Sequence, residues 1–294
     1  MASKLFATLA ASLGPAQASL EFKWMIQQSP KLQHLTDMVT RRSRGEPLQY
    51  ILGESLVLSK SPNLLTSIPG SQPFGPLNLL TRPPVLIPRP ETEHWVIKLA
   101  DRLSASSAQP KSLLDLGTGS GCIPLLLCHL LPQGSLRAHG VDISTHALQL
   151  ATDNATLCAI PPESTSKNTF TVSLGNFLSP SFPDDAKINL PYDIITSNPP
   201  YIPWDEYLQL PRSVTAYEDP KALFGGPTGL DFYHAIARLV RRKHFLRPGA
   251  IVALEVGHGQ AQAVERIMRL DAHMRDTEIW SDPWGKERTV LAHL

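Results

Sequence analysis

The apolar positions of this chain fall into two regimes. Between residues 19 and 40 they recur at roughly helical spacing: Leu20, Trp24, Met25, Leu32, Leu35, Met38 and Val39. Pro30 splits them into two short predicted helices, because proline lacks the N–H that a helix interior needs. Arg41, Arg42 and Arg44, followed by Gly45, suit the C-terminal end of the second helix, where the helix dipole favours cations and glycine stops the turn. From residue 112 onward short apolar runs alternate with helical segments. The runs at 112–116, 136–141, 170–174, 192–196 and 250–255 predict buried strands. The stretches at 144–155, 229–242 and 261–270 predict helices, and the end of the chain, 278–280 with 289–293, predicts a closing β-hairpin. Residues 85–93 are expected to run from strand into helix, with Glu91 or Thr92 at the helix start and Trp95, Val96 and Leu99 behind it.

Between these regimes, residues 59–84 are dense in Pro, Ser, Asn and Gly and show little periodicity, so they read as a linker or insertion. The organisation expected is a small helical domain over 1–58, a linker over 59–84 and an α/β domain over 85–294.

Composition narrows the picture. At 294 residues, 42% hydrophobic and 18% charged, the chain has enough apolar material for a large core. A net charge of +1 gives no general drive toward nucleic acid or an anionic membrane. Cys122, Cys128 and Cys158 form no C-x-x-C pair and lack metal-ligand spacing, which suggests buried thiols in a reducing compartment, and no metal is expected. The richest apolar run, 123–131, is too short to span a bilayer and contains Pro124 and His129. Residues 1–18 carry one Lys and no acid among Ser, Thr and Ala. They read either as a weak mitochondrial presequence or as the first helix of the fold.

The candidate chemistry sits where predicted strands end. Gly117-Thr118-Gly119-Ser120-Gly121 follows an Asp115-bearing strand and precedes a helix. Glycines let backbone approach a ligand closely. The spacing is not the dinucleotide G-x-G-x-x-G; Gly-x-Gly-x-Gly after such a strand is the pattern of S-adenosylmethionine (AdoMet) methyltransferases. The next strand ends at Asp142, whose two carboxylate oxygens suit a pair of ribose hydroxyls and equally suit a helix cap. Asn176 and Phe177, after the third strand, have the polarity of an adenine slot, Asn176 meeting the exocyclic amine and Phe177 stacking, or of a plain loop. The fourth strand ends in Ser197-Asn198-Pro199-Pro200-Tyr201. Each proline fixes its own φ and pushes the residue before it to extended geometry. The carbonyls of this notch therefore face outward, and with the Asn198 side-chain oxygen they suit a planar NH₂ group.

These segments together resemble the HemK/PrmC-type protein-(glutamine-N5) methyltransferases of peptide-chain release factors. The resemblance spans about residues 41–294. It rests on Gly45-Glu46-Pro47-Leu48-Gln49-Tyr50-Ile51-Leu52-Gly53, Leu86-Ile87-Pro88-Arg89-Pro90-Glu91-Thr92-Glu93, Asp115 to Gly121, Asn198 to Ile202, and Gly225-Gly226. It implies a class I, Rossmann-like AdoMet-dependent fold with a seven-stranded, mostly parallel sheet and a small N-terminal helical domain. By the same resemblance Gly117, Thr118, Gly119, Ser120 and Gly121 cradle the cofactor, Asp142 holds its ribose, Asn176 and Phe177 flank its adenine, and Asn198, Pro199, Pro200 and Tyr201 hold the substrate amide, with Tyr201 packed on the amide plane. The implied partner is a class I release factor presenting its Gly-Gly-Gln loop. The longer linker and shorter N-terminal module suggest a eukaryotic, mitochondrial member, a cytoplasmic one being the alternative. Two departures from the family pattern stand out: Asn176 where Asp is common, and Asp219 between Glu218 and Pro220. Asn-Pro-Pro-Tyr alone also fits an adenine-N6 nucleic-acid methyltransferase, and a non-catalytic scaffold is a further alternative.

Overall fold

Four helices open the computed structural model, which describes residues 2–28, 31–54, 71–104, 110–186 and 188–294. They are α1 (Ala2–Leu13), α2 (Pro15–Gln28), α3 (Leu32–Ser43) and α4 (Leu48–Glu54). Leu9, Ala18, Met25, Leu35, Met38, Val39 and Ile51 meet in one apolar cluster. The break between α2 and α3 falls where Pro30 was expected to place it, but Pro30 itself lies outside the described residues. The arginines at the end of α3 do more than complement its dipole. Arg42 meets the buried Glu21 of α2 at 2.6 Å, and Arg41 pairs with Glu46. These pairs fix the turn into α4.

The expected linker is not structureless. Residues 59–70 of it lie outside the described residues, but β1 (Ser71–Phe74) and β2 (Leu77–Leu80) form an antiparallel hairpin. Phe74, Leu77 and Leu79 alternate inward and join the core, which the short run had hidden from a periodicity argument. Residues 85–89, expected to form a strand leading into a helix, form no strand. Pro83, Pro84, Pro88 and Pro90 remove the N–H groups a ladder would need. Val85 and Ile87 are buried all the same. Tyr50 on α4 donates its hydroxyl to the Val85 carbonyl at 2.6 Å, and Thr81 donates to the Gln49 carbonyl at 3.0 Å. The helical module is thereby tied to the segment that leads into α5 (Pro90–Ser104).

The remainder winds a sheet in the expected alternation. β3 (Lys111–Leu116), α6 (Cys122–Leu130), β4 (Leu136–Asp142), α7 (Thr145–Leu157) and β5 (Thr169–Leu174) run outward from the centre. The short α8 (Phe182–Asp185) then returns the chain to β6 (Tyr192–Ser197). After it come three single-turn helices, α9 (Trp204–Tyr207), α10 (Arg212–Thr215) and α11 (Pro220–Leu223), followed by α12 (Asp231–Val240), β7 (Leu246–Glu255), α13 (Ala261–Leu270), β8 (Asp276–Ser281) and β9 (Glu287–His293). The seven strands lie in the order β5-β4-β3-β6-β7-β9-β8. The first five are mutually parallel; β9 is antiparallel to both of its neighbours.

Period-two alternation sends successive residues to opposite faces. Leu114, Leu116 and Ile195 face α12 and α13, whereas Leu113 and Ile194 face α5, α6 and the hairpin. Each fully buried side chain of this kind contributes on the order of 2 kcal/mol. Asn154 is one of the polar side chains fully buried among them. Asn154 of α7 accepts from the Leu80 N–H at 2.7 Å and donates to the Leu80 and Ser120 carbonyls at 3.3 and 3.0 Å. It joins hairpin, helix and glycine turn. Asn154→Ala is expected to destabilise the protein by about 2–4 kcal/mol, because it orphans buried backbone groups as well as removing bonds; urea denaturation reads the change.

Order reverses at β3, which sends one connection toward β4 and leaves β6 on its other side. In open α/β sheets ligands bind beyond the carboxyl ends of strands at such a switch point. Leu116 is paired with Ser197. The residues that follow, Gly117 and Asn198, are therefore neighbours by strand register.

Candidate active site

The turn after β3 is held from below by β4. Gly117 and Thr118 donate their N–H groups to the Val141 carbonyl at 2.8 and 3.0 Å. Gly119 donates to Asp142 Oδ2 and Ser144 to Asp142 Oδ1, each at 2.9 Å. The N-cap of α7 is Ser144, whose hydroxyl accepts from the Ala147 N–H, so Asp142 braces the cap residue and does not cap the helix itself. Gly117 and Gly119 have φ of +71° and +54°, a region L-residues avoid, and no atom lies within 4 Å of a Cβ built on Gly117. Gly121 differs. A Cβ there would stand 3.2 Å from Ala151 Cβ and 3.3 Å from the Phe170 ring. Its role is to let α6, α7 and β5 close on one another.

Above the turn lies a cavity of about 560 Å³. Of the residues singled out from sequence, Gly117, Thr118, Gly119, Ser120, Asp142, Asn176, Phe177, Asn198 and Pro200 line it, whereas Gly121, Pro199 and Tyr201 do not. The Asn176 side-chain oxygen already accepts from the Leu178 N–H at 3.0 Å, forming a local turn. Phe177 meets Phe232 edge-on, with ring centroids 5.9 Å apart. Tyr201 packs against the core cluster of α12 and α13, and burial pushes its phenol well up. Its carbonyl accepts from Gln260 Nε2 at 2.9 Å. Gly225 shows why a glycine pair stands where it does: a Cβ there would come within 2.6 Å of the Pro200 carbonyl.

Asn198 is anchored from α5. Its Nδ2 lies 3.3 Å from Thr92 Oγ1, which in turn lies 2.6 Å from Glu255 Oε2, the same oxygen that accepts from Trp95 Nε1 at 2.9 Å. Thr92, expected at the helix start, also has a task away from the helix end. It sits in the first turn of α5, buried, reaching across to the end of β7. Glu255 is fully buried, and that burial raises its pKa against the hydrogen bonds of Thr92 and Trp95. Sequence reasoning passed over Glu255; its signal was a lone acid at the end of an otherwise apolar strand.

Further contributors come from the irregular stretch after Tyr201 and from Arg89. Arg89 donates to both oxygens of the buried Glu218, at 2.6 and 2.8 Å. Asp219 caps α11 through the Lys221 N–H and lines the cavity. The residue that departs from the family pattern thus has its own structural task. Trp204, Tyr207 and Phe224 form an aromatic cluster at the cavity wall, with Trp204 stacked on Tyr207 at 6.3 Å. Among the described residues there is no cluster of three or more metal-ligating side chains, and no helix is long and apolar enough to cross a membrane.

Beneath the turn, Asp115 is fully buried and accepts from the Thr196 hydroxyl at 2.7 Å. Burial pushes its carboxyl up to about 7, with the Thr196 bond opposing. The folded state holds this proton until about pH 7, while an unfolded aspartate releases it near pH 4. Between those limits the folded state binds more protons, so stability falls as pH rises, by at most about 1.4 kcal/mol per pH unit for one group. Asp115→Asn is expected to flatten the decline in urea-unfolding free energy between about pH 5 and pH 7.

The seven-stranded, mostly parallel sheet with a glycine turn at its switch point defines a class I methyltransferase fold. The hMettl16 catalytic domain shares that fold, with a TM-score of 0.51 at 16% identity over 74% of this chain and 76% of that one. No family model matches the chain. Relatives are specific nonetheless. A release factor glutamine methyltransferase of Moorella thermoacetica is 35% identical over 255 residues, 87% of this chain and 77% of that protein. One of Geobacter sulfurreducens is 34% identical over 285 residues, 96% of this chain and 86% of that protein. This chain belongs to the release factor glutamine methyltransferase family.

Proposed function

We propose that the protein transfers a methyl group from S-adenosylmethionine to the side-chain amide nitrogen (N5) of the glutamine in the Gly-Gly-Gln motif of a class I peptide-chain release factor, leaving S-adenosylhomocysteine and one amide proton that passes to water after transfer. The observation that carries this reading is the Asn198 carboxamide, on the cavity wall and one residue beyond the strand pairing that also places Gly117.

The residues present fit the cofactor. The turn at Gly117 has open space above it, and Asp142 spends one acceptor site of each oxygen on backbone. A carboxylate has about four such sites, so two remain for ribose hydroxyls. Asn176 and Phe177, with Ile143 and Leu178 beside them on the cavity wall, form the slot for adenine. When bound, S-adenosylmethionine supplies a methyl already activated by its sulfonium. An amide nitrogen is a poor nucleophile because its lone pair is delocalised. The Asn198 oxygen and the Pro199 carbonyl accept its two hydrogens, fix its position and favour charge developing on nitrogen, so positioning and electrostatics supply most of the rate. Pro200 closes the notch from the cavity side; Tyr201 supports it from the core.

An adenine-N6 substrate would use the same notch, but a net charge of +1 gives no general drive toward nucleic acid. Within this proposal the protein is a eukaryotic, mitochondrial member, a reading supported by the acid-free residues 1–18. Leu9 and Ala18 belong to the helical cluster, so removing that segment would cost core as well as length. N-terminal sequencing of the native protein decides it. The function is tested by incubating the protein with labelled S-adenosylmethionine and either a release factor or nucleic acid. Mass spectrometry should find the Gly-Gly-Gln peptide one methyl group heavier. Label on nucleic acid alone, or cofactor binding without turnover on any release factor, overturns the proposal.

A further inference from the structure

We infer that Thr92 is a positioning residue for methyl transfer: backed by Glu255, it locks the Asn198 carboxamide with its nitrogen toward α5 and its oxygen toward the cavity. This rests on the function proposed above and extends it beyond the notch itself.

A carboxamide has two faces of similar shape and opposite hydrogen-bond sense. A notch that receives an NH₂ group works only if the oxygen faces it. Turned over, Asn198 would offer N–H to N–H. Nothing in Asn198-Pro199-Pro200-Tyr201 itself dictates the choice, because the prolines constrain backbone and not the side chain. The choice is made behind the notch. Trp95 Nε1 carries a hydrogen and has no acceptor capacity, so the Glu255 oxygen it meets at 2.9 Å is an acceptor. Thr92 lies 2.6 Å from that same oxygen, and its hydroxyl hydrogen is committed there. The remaining capacity of the Thr92 oxygen is to accept, and what it accepts at 3.3 Å is Asn198 Nδ2. The amide sense at the cavity is thus set by a glutamate two hydrogen bonds back and a tryptophan three back. The four groups come from three elements: Thr92 and Trp95 from α5, Glu255 from the end of β7, and Asn198 from the end of β6. Hydrogen bonds in series also polarise one another, making the Asn198 oxygen a stronger acceptor. Glu255 is further held by Tyr233, whose hydroxyl donates to its backbone carbonyl at 2.8 Å.

Thr92→Val keeps shape and removes the hydroxyl; Thr92→Ser keeps the hydroxyl and removes a methyl. Two readouts separate orientation from simple support. The first is kinetic. Thr92→Val should lower kcat by about 10- to 100-fold, with the dissociation constant for S-adenosylmethionine within about twofold of wild type, and Thr92→Ser should recover kcat to within about threefold. The second does not depend on the substrate. In a ¹⁵N-labelled protein, the side-chain NH₂ signals of Asn198, assigned by their loss in Asn198→Ala, should exchange slowly with solvent in wild type and Thr92→Ser and much faster in Thr92→Val. Unchanged exchange in Thr92→Val overturns the inference whatever the substrate proves to be. So does a serine variant as slow as the valine one, or loss of cofactor affinity in step with activity. If wild type fails to methylate a release factor while the exchange pattern holds, the functional proposal falls and the lock stands.

Discussion

Asn198→Ala should abolish methyl transfer and leave cofactor binding nearly intact. The substitution removes the acceptor that meets the reacting NH₂ group. Removing a single preorganised hydrogen-bonding group from such a site costs about 10²- to 10³-fold in kcat, and here it also frees the reacting nitrogen to rotate, so the loss should fall at or beyond the upper end. Structurally the substitution is mild. The one side-chain bond lost, to Thr92 at 3.3 Å, is long, and the site opens onto the cavity. Its loss should lower stability by no more than about 1 kcal/mol. Calorimetric titration with S-adenosylmethionine should give a dissociation constant within about twofold of wild type. An Asn198→Ala protein that still methylates would refute the notch.

Asp142→Ala should do the reverse, weakening the cofactor while sparing the chemistry. The carboxylate both supports the site and lines it, accepting N–H groups from Gly119 and Ser144 with two acceptor sites left over. Hydrogen bonds to a charged group contribute about 1.5–3 kcal/mol each. Losing two of them to the cofactor should raise its dissociation constant by about 10²- to 10⁴-fold. Loosening of the glycine turn should add about 1–2 kcal/mol of destabilisation, from two buried N–H groups left unpaired. At saturating cofactor, kcat should return to within about fivefold of wild type, since Asn198 is untouched. Asp142→Asn is the sharper control, since its amide must present N–H to one of the two backbone N–H groups. A loss of kcat with unchanged cofactor affinity would place Asp142 in the reaction itself.

The strands and helices of the sheet domain were readable because each is a run of apolar residues with its own period. Leu113 and Leu114 suffice to show two covered faces. The hairpin at Ser71–Phe74 and Leu77–Leu80 was not readable, since two four-residue strands carry too few alternations to stand out from a proline-rich background. The stretch at 85–89 misled for the opposite reason: Val85 and Ile87 are buried like strand residues, yet prolines deny them a ladder. In the site, the groups that end strands were legible, because the switch-point rule converts position along a strand into position in space. The link between Thr92 and Glu255 was not. They lie 163 residues apart in the chain and act only through one another and Asn198, a relation no local pattern encodes. Tyr201 was placed on the substrate amide by its neighbours in the motif; its ring turned instead to the core, where α12 and α13 offer apolar cover that a half-open cavity does not.

The pairing of Leu116 with Ser197 bears on how this enzyme can be altered. Both halves of the site project from adjoining rods whose mutual offset is set by a ladder of backbone bonds, well below the loops. Connections elsewhere can be lengthened, shortened or exchanged without disturbing the distance between donor and acceptor of the methyl group. Sliding either rod by one residue would turn every side chain on it over, and both activity and core would vanish together. The cavity wall at Trp204 and Tyr207 stands on such connections and is open to redesign, while the transfer step is as hard to detune as the sheet is to unravel.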